Sequence, residues 1–113
     1  MSLSLKRLES NALRELSIIL SRDTKNKHLS HITITEIRIT NDSSYLTVYY
    51  TFYDGKEELY QHELEASKGY LRSELCKKLQ ARKMPELIFK RDTSLDYGNH
   101  IEELIQSIHK NEN

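Results

Sequence analysis

The sequence has few of the residues that indicate a disulfide-bonded, membrane-spanning or loop-rich protein. Its 113 residues include one cysteine, one proline, three glycines and no tryptophan. The lone Cys76 cannot form an internal disulfide, which is typical of a reducing compartment. No apolar run is long enough to span a bilayer, and the N-terminus lacks the hydrophobic segment of a signal peptide. We therefore expect a single soluble domain over residues 1–113, located in the cytoplasm.

Charged side chains are abundant but balanced, with 17 basic and 17 acidic residues and a formal net charge of zero. Their distribution is uneven, because the sign alternates in four blocks along the chain. The strongest acidic block is 40–67, and the strongest basic block is 68–91. Such blocks indicate either a localised anion-binding surface or mutual neutralisation across the surface. Charge alone favours the anion-binding surface only slightly.

The spacing of apolar residues predicts an α+β fold in the order α–β–β–α–(break)–α–β–α. Strand-like alternation is found at 31–39, 44–53 and 86–91. Helical spacing is found at 4–22, at 57–82 with an interruption, and at 99–110. We expect a polar connection at 23–30 and an end to the interrupted helix at Met84-Pro85. These elements predict a three-stranded sheet with helices on one face and the other face partly open.

Two features of the predicted strands bear on packing. The apolar phase of the first strand slips between Ile34 and Ile37, which predicts a β-bulge. The second strand alternates cleanly, so one of its faces should join the core: Leu46, Val48, Tyr50 and Phe52.

The interruption of the long helix falls within EASKGYLRSEL, residues 65–75, where Gly69 lies between leucines at helical spacing. Glycine costs about 1 kcal/mol relative to alanine inside a helix. A helix that restarts here would leave the N–H groups of Gly69, Tyr70 and Leu71 available to a phosphate. Glycine would also let a nucleic-acid backbone approach closely. The alternative is a kink that only lets the helix follow the sheet, and the residues alone favour this alternative.

Three stretches carry a resemblance to a known family: GYLRSEL (69–75), RKMPELIFKRD (82–92) and SLDYGNHIEELI (94–105). With the element order, they resemble a type II KH domain, and within that fold the ribosome-binding factor A family of bacterial small-subunit maturation factors. In this family an Ala-x-Gly kink replaces the usual KH loop. The resemblance implies that Ser67-Lys68-Gly69 is this kink, with serine in place of alanine.

The resemblance implies an RNA-binding assembly factor for the small (30S) ribosomal subunit. Such a protein assists late 16S rRNA maturation, including 5′-end processing, and matters most in the cold. It needs no cofactor, and its release involves a GTPase and other assembly factors. We expect a monomer that binds neither DNA nor membranes. The RNA-binding residues predicted in this way are Ser67, Lys68, Gly69, Tyr70, Arg72, Lys77, Lys78, Arg82 and Lys83, with Lys6 and Arg7 of the first helix as further contacts.

Two other functions remain open at this point. One is a KH-like module whose basic helix binds an acidic protein, or an RNA outside the ribosome. The other is an enzyme that acts on RNA ends. The sequence contains no phosphate-binding loop, nucleophile motif or metal-binding pattern, so we expect that the protein is not an enzyme.

The remaining candidate site residues are interpreted as structural. Tyr45, Tyr49 and Tyr53 could stack bases, but such platforms combine aromatics from neighbouring strands, and 31–39 has none. His28 and His31 lack the further ligands that a metal site needs.

Cys76 is expected to be a packing residue, because free cysteines are usually buried and no poised base is evident near it. Asp92 and Ser94 suit turn or capping roles. Asn99 suits the N-cap of the last helix.

Overall fold

The computed structural model describes residues 2–22 and 26–94. These residues form three α-helices and a three-stranded sheet, with a 3-10 helix at Lys27–His31. In chain order the elements are α1 Ser2–Arg22, β1 Thr33–Ile39, β2 Tyr45–Thr51, α2 Glu57–Ala66, α3 Lys68–Leu79 and β3 Glu86–Arg91. The predicted order is confirmed as far as β3. The last predicted helix, 99–110, lies outside the described residues.

The sheet has the strand order β1-β2-β3. β1 pairs antiparallel with β2, and the 40–44 turn joins them, whereas β3 pairs parallel with β2. A parallel pair needs a long crossover connection, and α2 and α3 supply it. Both crossover helices contact β3, α1 contacts β1, and the buried side chains of the three helices form one core cluster with those of the sheet. This is the topology that the resemblance to a type II KH domain implied.

The core lies between the three helices and one face of the sheet. Tyr50 is buried completely, and its hydroxyl donates to the side-chain oxygen of Gln61, so the buried phenol has a partner. No helix of the described chain is both long and apolar enough to cross a membrane. The main buried side chains are Ala12, Leu16, Ile19, Leu20, Ile34, Ile37, Ile39, Leu46, Val48, Tyr50, Tyr60, Leu64, Leu71, Leu75, Leu87 and Phe89.

The predicted bulge in β1 is confirmed, because the pairing with β2 shifts between Ile34 and Glu36. Thr35 is the extra residue, and its hydroxyl donates to the carboxylate of Asp92 just after β3. The N–H of Asp92 in turn donates to the carbonyl oxygen of Tyr50 on β2 at 2.7 Å. Asp92 therefore fastens the end of β3 to both other strands.

The connection before β1 differs from the prediction. Residues 27–30 of the connection predicted at 23–30 form a 3-10 helix together with His31, which was predicted to begin the first strand, and Leu29 within this helix is fully buried. The side chain of Asn26 starts this helix by accepting the N–H of His28 at 3.1 Å. A single apolar residue in a polar stretch has no periodicity, so the sequence pattern missed Leu29.

The helix predicted to run to residue 82 ends at Leu79. Gln80 adopts a left-handed conformation with φ 54° and ψ 36°. Its N–H donates to Lys77 O at 3.2 Å, and the N–H of Ala81 donates to Cys76 O at 3.1 Å. These two bonds form a Schellman motif. The helix therefore ends at its own C-cap, and Pro85 is not what ends it.

The hydrogen bonds of Asp92 predict a pH-dependent contribution to stability. Hydroxyl donation by Ser94, then by Thr35, lowers the pKa of this carboxyl below its ordinary value of 3.8. A lowered pKa stabilises the folded state above the ordinary pKa, and this contribution is lost as the pH falls through the folded-state pKa. Asp92→Asn should therefore lower the free energy of unfolding at neutral pH and lose that difference in acid.

Urea denaturation between neutral pH and about pH 2 would measure this difference. Glu58→Gln is the matched control, since Glu58 is exposed and forms no hydrogen bond or ion pair with the described residues. An Asp92→Asn deficit that stays constant into acid would contradict the assigned role of the carboxylate.

Candidate nucleic-acid interface

A single residue separates α2 from α3. Ser67 has φ −95° and ψ 1°, and its side chain forms no capping hydrogen bond. Its N–H donates back to Glu63 O at 3.0 Å, and its carbonyl oxygen accepts the N–H of Leu71 at 2.9 Å. The break that the sequence predicted is therefore present at Ser67.

The first turn of α3 determines which N–H groups the break leaves available. An α-helix gives no internal acceptor to its first N–H groups. Here these belong to Lys68, Gly69 and Tyr70. Leu71 was also expected to have an available N–H, and that expectation was wrong, since this group donates to Ser67 O. Because α3 begins at Lys68, the set of available N–H groups lies one residue nearer the N-terminus than predicted.

Gly69 is not required by the protein's own structure. A Cβ atom built on Gly69 meets no other atom within 4 Å, and its φ is not in the left-handed region. Alanine would therefore fit the backbone and the packing, and would favour the helix. Steric reasons therefore do not support the alternative that Gly69 only permits the kink. What Gly69 does provide is an open position on the protein surface.

That open position forms part of a groove of about 710 Å³ between α3 and the segment that follows it. We call this the basic groove. Four cationic side chains, those of Arg72, Lys77, Arg82 and Lys83, line it. The structure thus brings together five of the predicted site residues, the four cations and Gly69. The full lining is Gly69, Arg72, Ser73, Cys76, Lys77, Gln80, Ala81, Arg82, Lys83 and Met84.

Arg72 holds the two walls of the basic groove together. Its Nε donates to Pro85 O at 3.1 Å, and a terminal nitrogen of the guanidinium donates to Met84 O. The thiol of Cys76 adds a second link by donating to Ala81 O at 3.1 Å. Cys76 is half-buried, in keeping with its predicted packing role. Two of the donors of Arg72 are therefore used within the protein, while its positive charge stays at the groove.

Four other predicted residues on or next to α3, Ser67, Lys68, Tyr70 and Lys78, do not line the basic groove. The ammonium of Lys68 is 2.8 Å from the carboxylate of Glu65 and lies over the ring of Phe89, 5.9 Å from its centroid. Lys68 is thus held towards the sheet. Tyr70 and Lys78 lie on another face of α3, next to α1.

Lys6 and Arg7 are exposed on the first turns of α1. The cavity shared by α1 and α3 is lined on the α1 side by Ile18, Ile19 and Arg22, near the other end of that helix. Neither Lys6 nor Arg7 lines the basic groove.

Sequence reasoning missed two polar residues of the basic groove, Ser73 and Gln80. Both follow from helical spacing, because positions three and four residues apart share one face of a helix. Counting from Gly69 in steps of three and four reaches Ser73, then Cys76 or Lys77, then Gln80. The count of charged residues identified the cations but not the uncharged residues that share this face.

The histidine and tyrosine candidates are placed apart from the basic groove. His31 Nδ1 lies 3.3 Å from the hydroxyl of Tyr60, which donates to the carboxylate of Asp54 at 2.6 Å. That hydrogen bond raises the pKa of Tyr60 to about 12 and lowers the pKa of Asp54. Among the described residues no group of three side chains could hold a metal ion. Tyr45 and Tyr53 are exposed, on or just beyond β2.

Fold and groove together define a type II KH-like domain in which a one-residue break joins two helices beside a basic groove. The chain belongs to the ribosome-binding factor A family, whose family model matches residues 4–105. A ribosome-binding factor A from Lactobacillus gasseri is 45% identical over 107 residues, which cover 92% of this chain and 87% of that protein.

Two solved structures share the fold. The crystal structure of ribosome-binding factor A from Thermus thermophilus gives a TM-score of 0.68 at 23% identity, covering 77% of this chain and 94% of that one. A homology model of the Thermus thermophilus factor, fitted into the cryo-electron microscopy map of a 30S–RbfA complex, gives 0.66 at 23% identity. It covers 77% of this chain and 93% of that one.

The left-handed C-cap at the rim of the basic groove predicts a stabilising substitution. Gln80→Gly should raise the free energy of unfolding by about 1 kcal/mol, because glycine adopts the left-handed region without the steric cost of a side chain. Lys78→Gly, two residues earlier inside α3, is the control and should lower it by about 1 kcal/mol. Urea denaturation measures both, and equal losses in the two variants would contradict the C-cap.

Proposed function

We propose that this protein binds the small (30S) ribosomal subunit through 16S rRNA, and that the basic groove is the main contact surface. Membership of the ribosome-binding factor A family supports the choice of partner. The observation that carries the choice of surface is the open side-chain position at Gly69, on a groove lined by cations. A nucleic-acid backbone is a ligand that needs both close main-chain approach and positive charge.

The charges of the basic groove are not neutralised by the acidic block. That block is largely engaged elsewhere: Glu65 pairs with Lys68, and Glu57 pairs with Arg91 at 3.3 Å. Arg82 and Lys83, by contrast, are exposed and form no ion pair with a described carboxylate. Ion pairs with the acidic block therefore neutralise Lys68 and Arg91. They leave the basic groove positively charged, although the net charge of the chain is zero.

Lys77 adds a third cation at the rim, with its ammonium 3.6 Å from the carboxylate of Glu74 and its side chain 71% exposed. Such an exposed pair is worth little and is easily exchanged for a phosphate contact. We expect phosphate contacts to dominate the affinity, with recognition by the shape of the RNA.

The finer features of this proposal come from the family. The protein acts as a single-domain, monomeric assembly factor in the cytoplasm, without a cofactor or enzymatic activity of its own. It assists late 16S rRNA maturation, including 5′-end processing, and it matters most in the cold. Its release involves a GTPase and other assembly factors.

Reversing the two unpaired cations of the basic groove should abolish most subunit binding. We expect Arg82→Glu/Lys83→Glu to weaken co-sedimentation with 30S subunits at least about tenfold, and to flatten the salt dependence of the remaining binding. The assay compares immature and mature 30S subunits, 50S subunits and 70S ribosomes across a salt series.

The matched control is Lys27→Glu/Lys56→Glu, which makes the same charge change on residues outside the basic groove. Equal losses in both double variants would mean that only net charge matters, and would refute the groove. No pelleting of the wild-type protein at low salt would refute ribosome binding, and would favour an acidic protein as the partner.

Gly69→Ala should change stability and binding in opposite directions. We expect the free energy of unfolding to rise by about 0.5–1 kcal/mol, because alanine favours the helix. We also expect affinity for 30S subunits to fall, because the new methyl group occupies the open position in the basic groove. Urea denaturation and co-sedimentation of the same preparation provide the two measurements.

His62→Ala is the control for this experiment, since it raises helix propensity at an exposed position of α2, outside the basic groove, without adding a side chain at position 69. It should leave subunit binding unchanged. A Gly69→Ala variant that binds as tightly as wild type would show that the open position is not used.

A further inference from the structure

A second cleft lies on the other side of the first turn of α3, between that helix and the end of α1. Its volume is about 160 Å³. Its lining combines apolar, aromatic and charged side chains: Ile18, Ile19, Arg22, Tyr70, Glu74 and Lys78. We call it the Tyr70 cleft.

Tyr70 is the unusual residue of this cleft. Its side chain is 53% exposed, whereas the neighbouring Leu71 is completely buried. Within the described chain the Tyr70 ring contacts no other aromatic ring, and its hydroxyl forms no hydrogen bond. Packing within the protein therefore leaves much of an aromatic ring open to solvent.

The two cations of the Tyr70 cleft are also unengaged. Arg22 and Lys78 are exposed, and neither forms an ion pair with a described carboxylate. The carboxylate in the cleft, that of Glu74, lies 3.6 Å from the ammonium of Lys77. An exposed ring flanked by two cations that have no ion pair among the described residues suits a ligand that has both a flat π-face and negative charge.

We infer that the Tyr70 cleft binds one unpaired RNA nucleotide, whose base stacks on Tyr70 while Arg22 and Lys78 contact its phosphates. This inference rests on the proposed function. Glu74 is placed to accept a hydrogen bond from an exocyclic amino group of the base.

Continuity with the basic groove favours RNA over a protein partner. Gly69 lines the basic groove and Tyr70 lines the Tyr70 cleft, and adjacent Cα atoms are about 3.8 Å apart. An RNA strand whose backbone passes Gly69 therefore reaches both surfaces without a gap. Cations on both sides, at Arg72 and at Lys78, match a continuous phosphate backbone.

The absence of tryptophan makes a direct test possible. In the Tyr70→Trp variant the new indole is the only one in the chain, so its fluorescence reports the cleft alone. Addition of protein-free 16S rRNA should quench this fluorescence by stacking. Tyr53→Trp is the matched control, because Tyr53 is 92% exposed and lies outside both surfaces, and its fluorescence should not change.

Affinity for the same rRNA provides the second measurement. Tyr70→Leu should weaken filter binding about 5- to 100-fold, whereas Tyr70→Phe should retain most of it. Tyr53→Leu should have no effect. Thermal unfolding checks that each variant is folded. If Tyr70→Leu does not fold, the fluorescence of Tyr70→Trp decides.

The experiments give different outcomes if the nucleotide site is absent and if the proposed function is wrong. If rRNA binds in an Arg82- and Lys83-dependent manner while the fluorescence of Tyr70→Trp is unchanged, the nucleotide site is refuted and the basic groove stands. If wild-type protein binds neither rRNA nor subunits, both are refuted. Quenching of the indole in Tyr70→Trp, together with the loss of affinity in Tyr70→Leu, establishes the site.

Discussion

The basic groove depends on two hydrogen bonds that the guanidinium of Arg72 donates to main-chain carbonyl groups. Arg72 lies on α3, and it donates to the main chain of Met84 and Pro85 just before β3. The C-cap, the Cys76 thiol and the burial of Met84 in the core also hold the segment 80–84 beside the helix. A guanidinium suits this position, because its planar fork serves two acceptors at once, which an ammonium cannot do with the same geometry. Arg72 therefore acts first as a structural clamp, and its charge contributes to the groove that it maintains.

The break between α2 and α3 fits the same design. Leu64 before it and Leu71 after it are both completely buried, so the two helices are anchored on the core independently. Ser67 closes the gap with two hydrogen bonds of its own main chain and none from its hydroxyl. Gly69, in the first turn of the new helix, is left with no internal steric role.

Sequence reasoning predicted the fold well because the core follows from the periodicity of apolar residues. The alternation of 44–53 indicated which face of β2 is buried, and the phase slip in 31–39 located the bulge. It predicted the site less well, because a count of charges along the chain does not report side-chain direction. Lys68, Arg72 and Lys78 are close in sequence, yet one faces Glu65, one clamps Pro85 and one lies beside α1. Only the first could have been foreseen, from its i, i+3 spacing to an acidic residue.

The helix ends show the same limit. A proline after a helix is a clear signal, whereas a left-handed Gln80 is not, since glutamine carries no preference for that conformation. Leu29 was missed for a related reason, because its burial depends on where the chain turns, which local periodicity does not record.

The parallel pairing of β2 with β3 affects when the binding surface becomes complete. The strands join through residues about 40 positions apart, so β3 can add to the sheet only after α2 and α3 have crossed over it. The carbonyl groups that Arg72 holds immediately precede β3, so they reach their place together with that strand. A chain still being synthesised therefore has Gly69 and the cations of α3 before the second wall of the groove is in place.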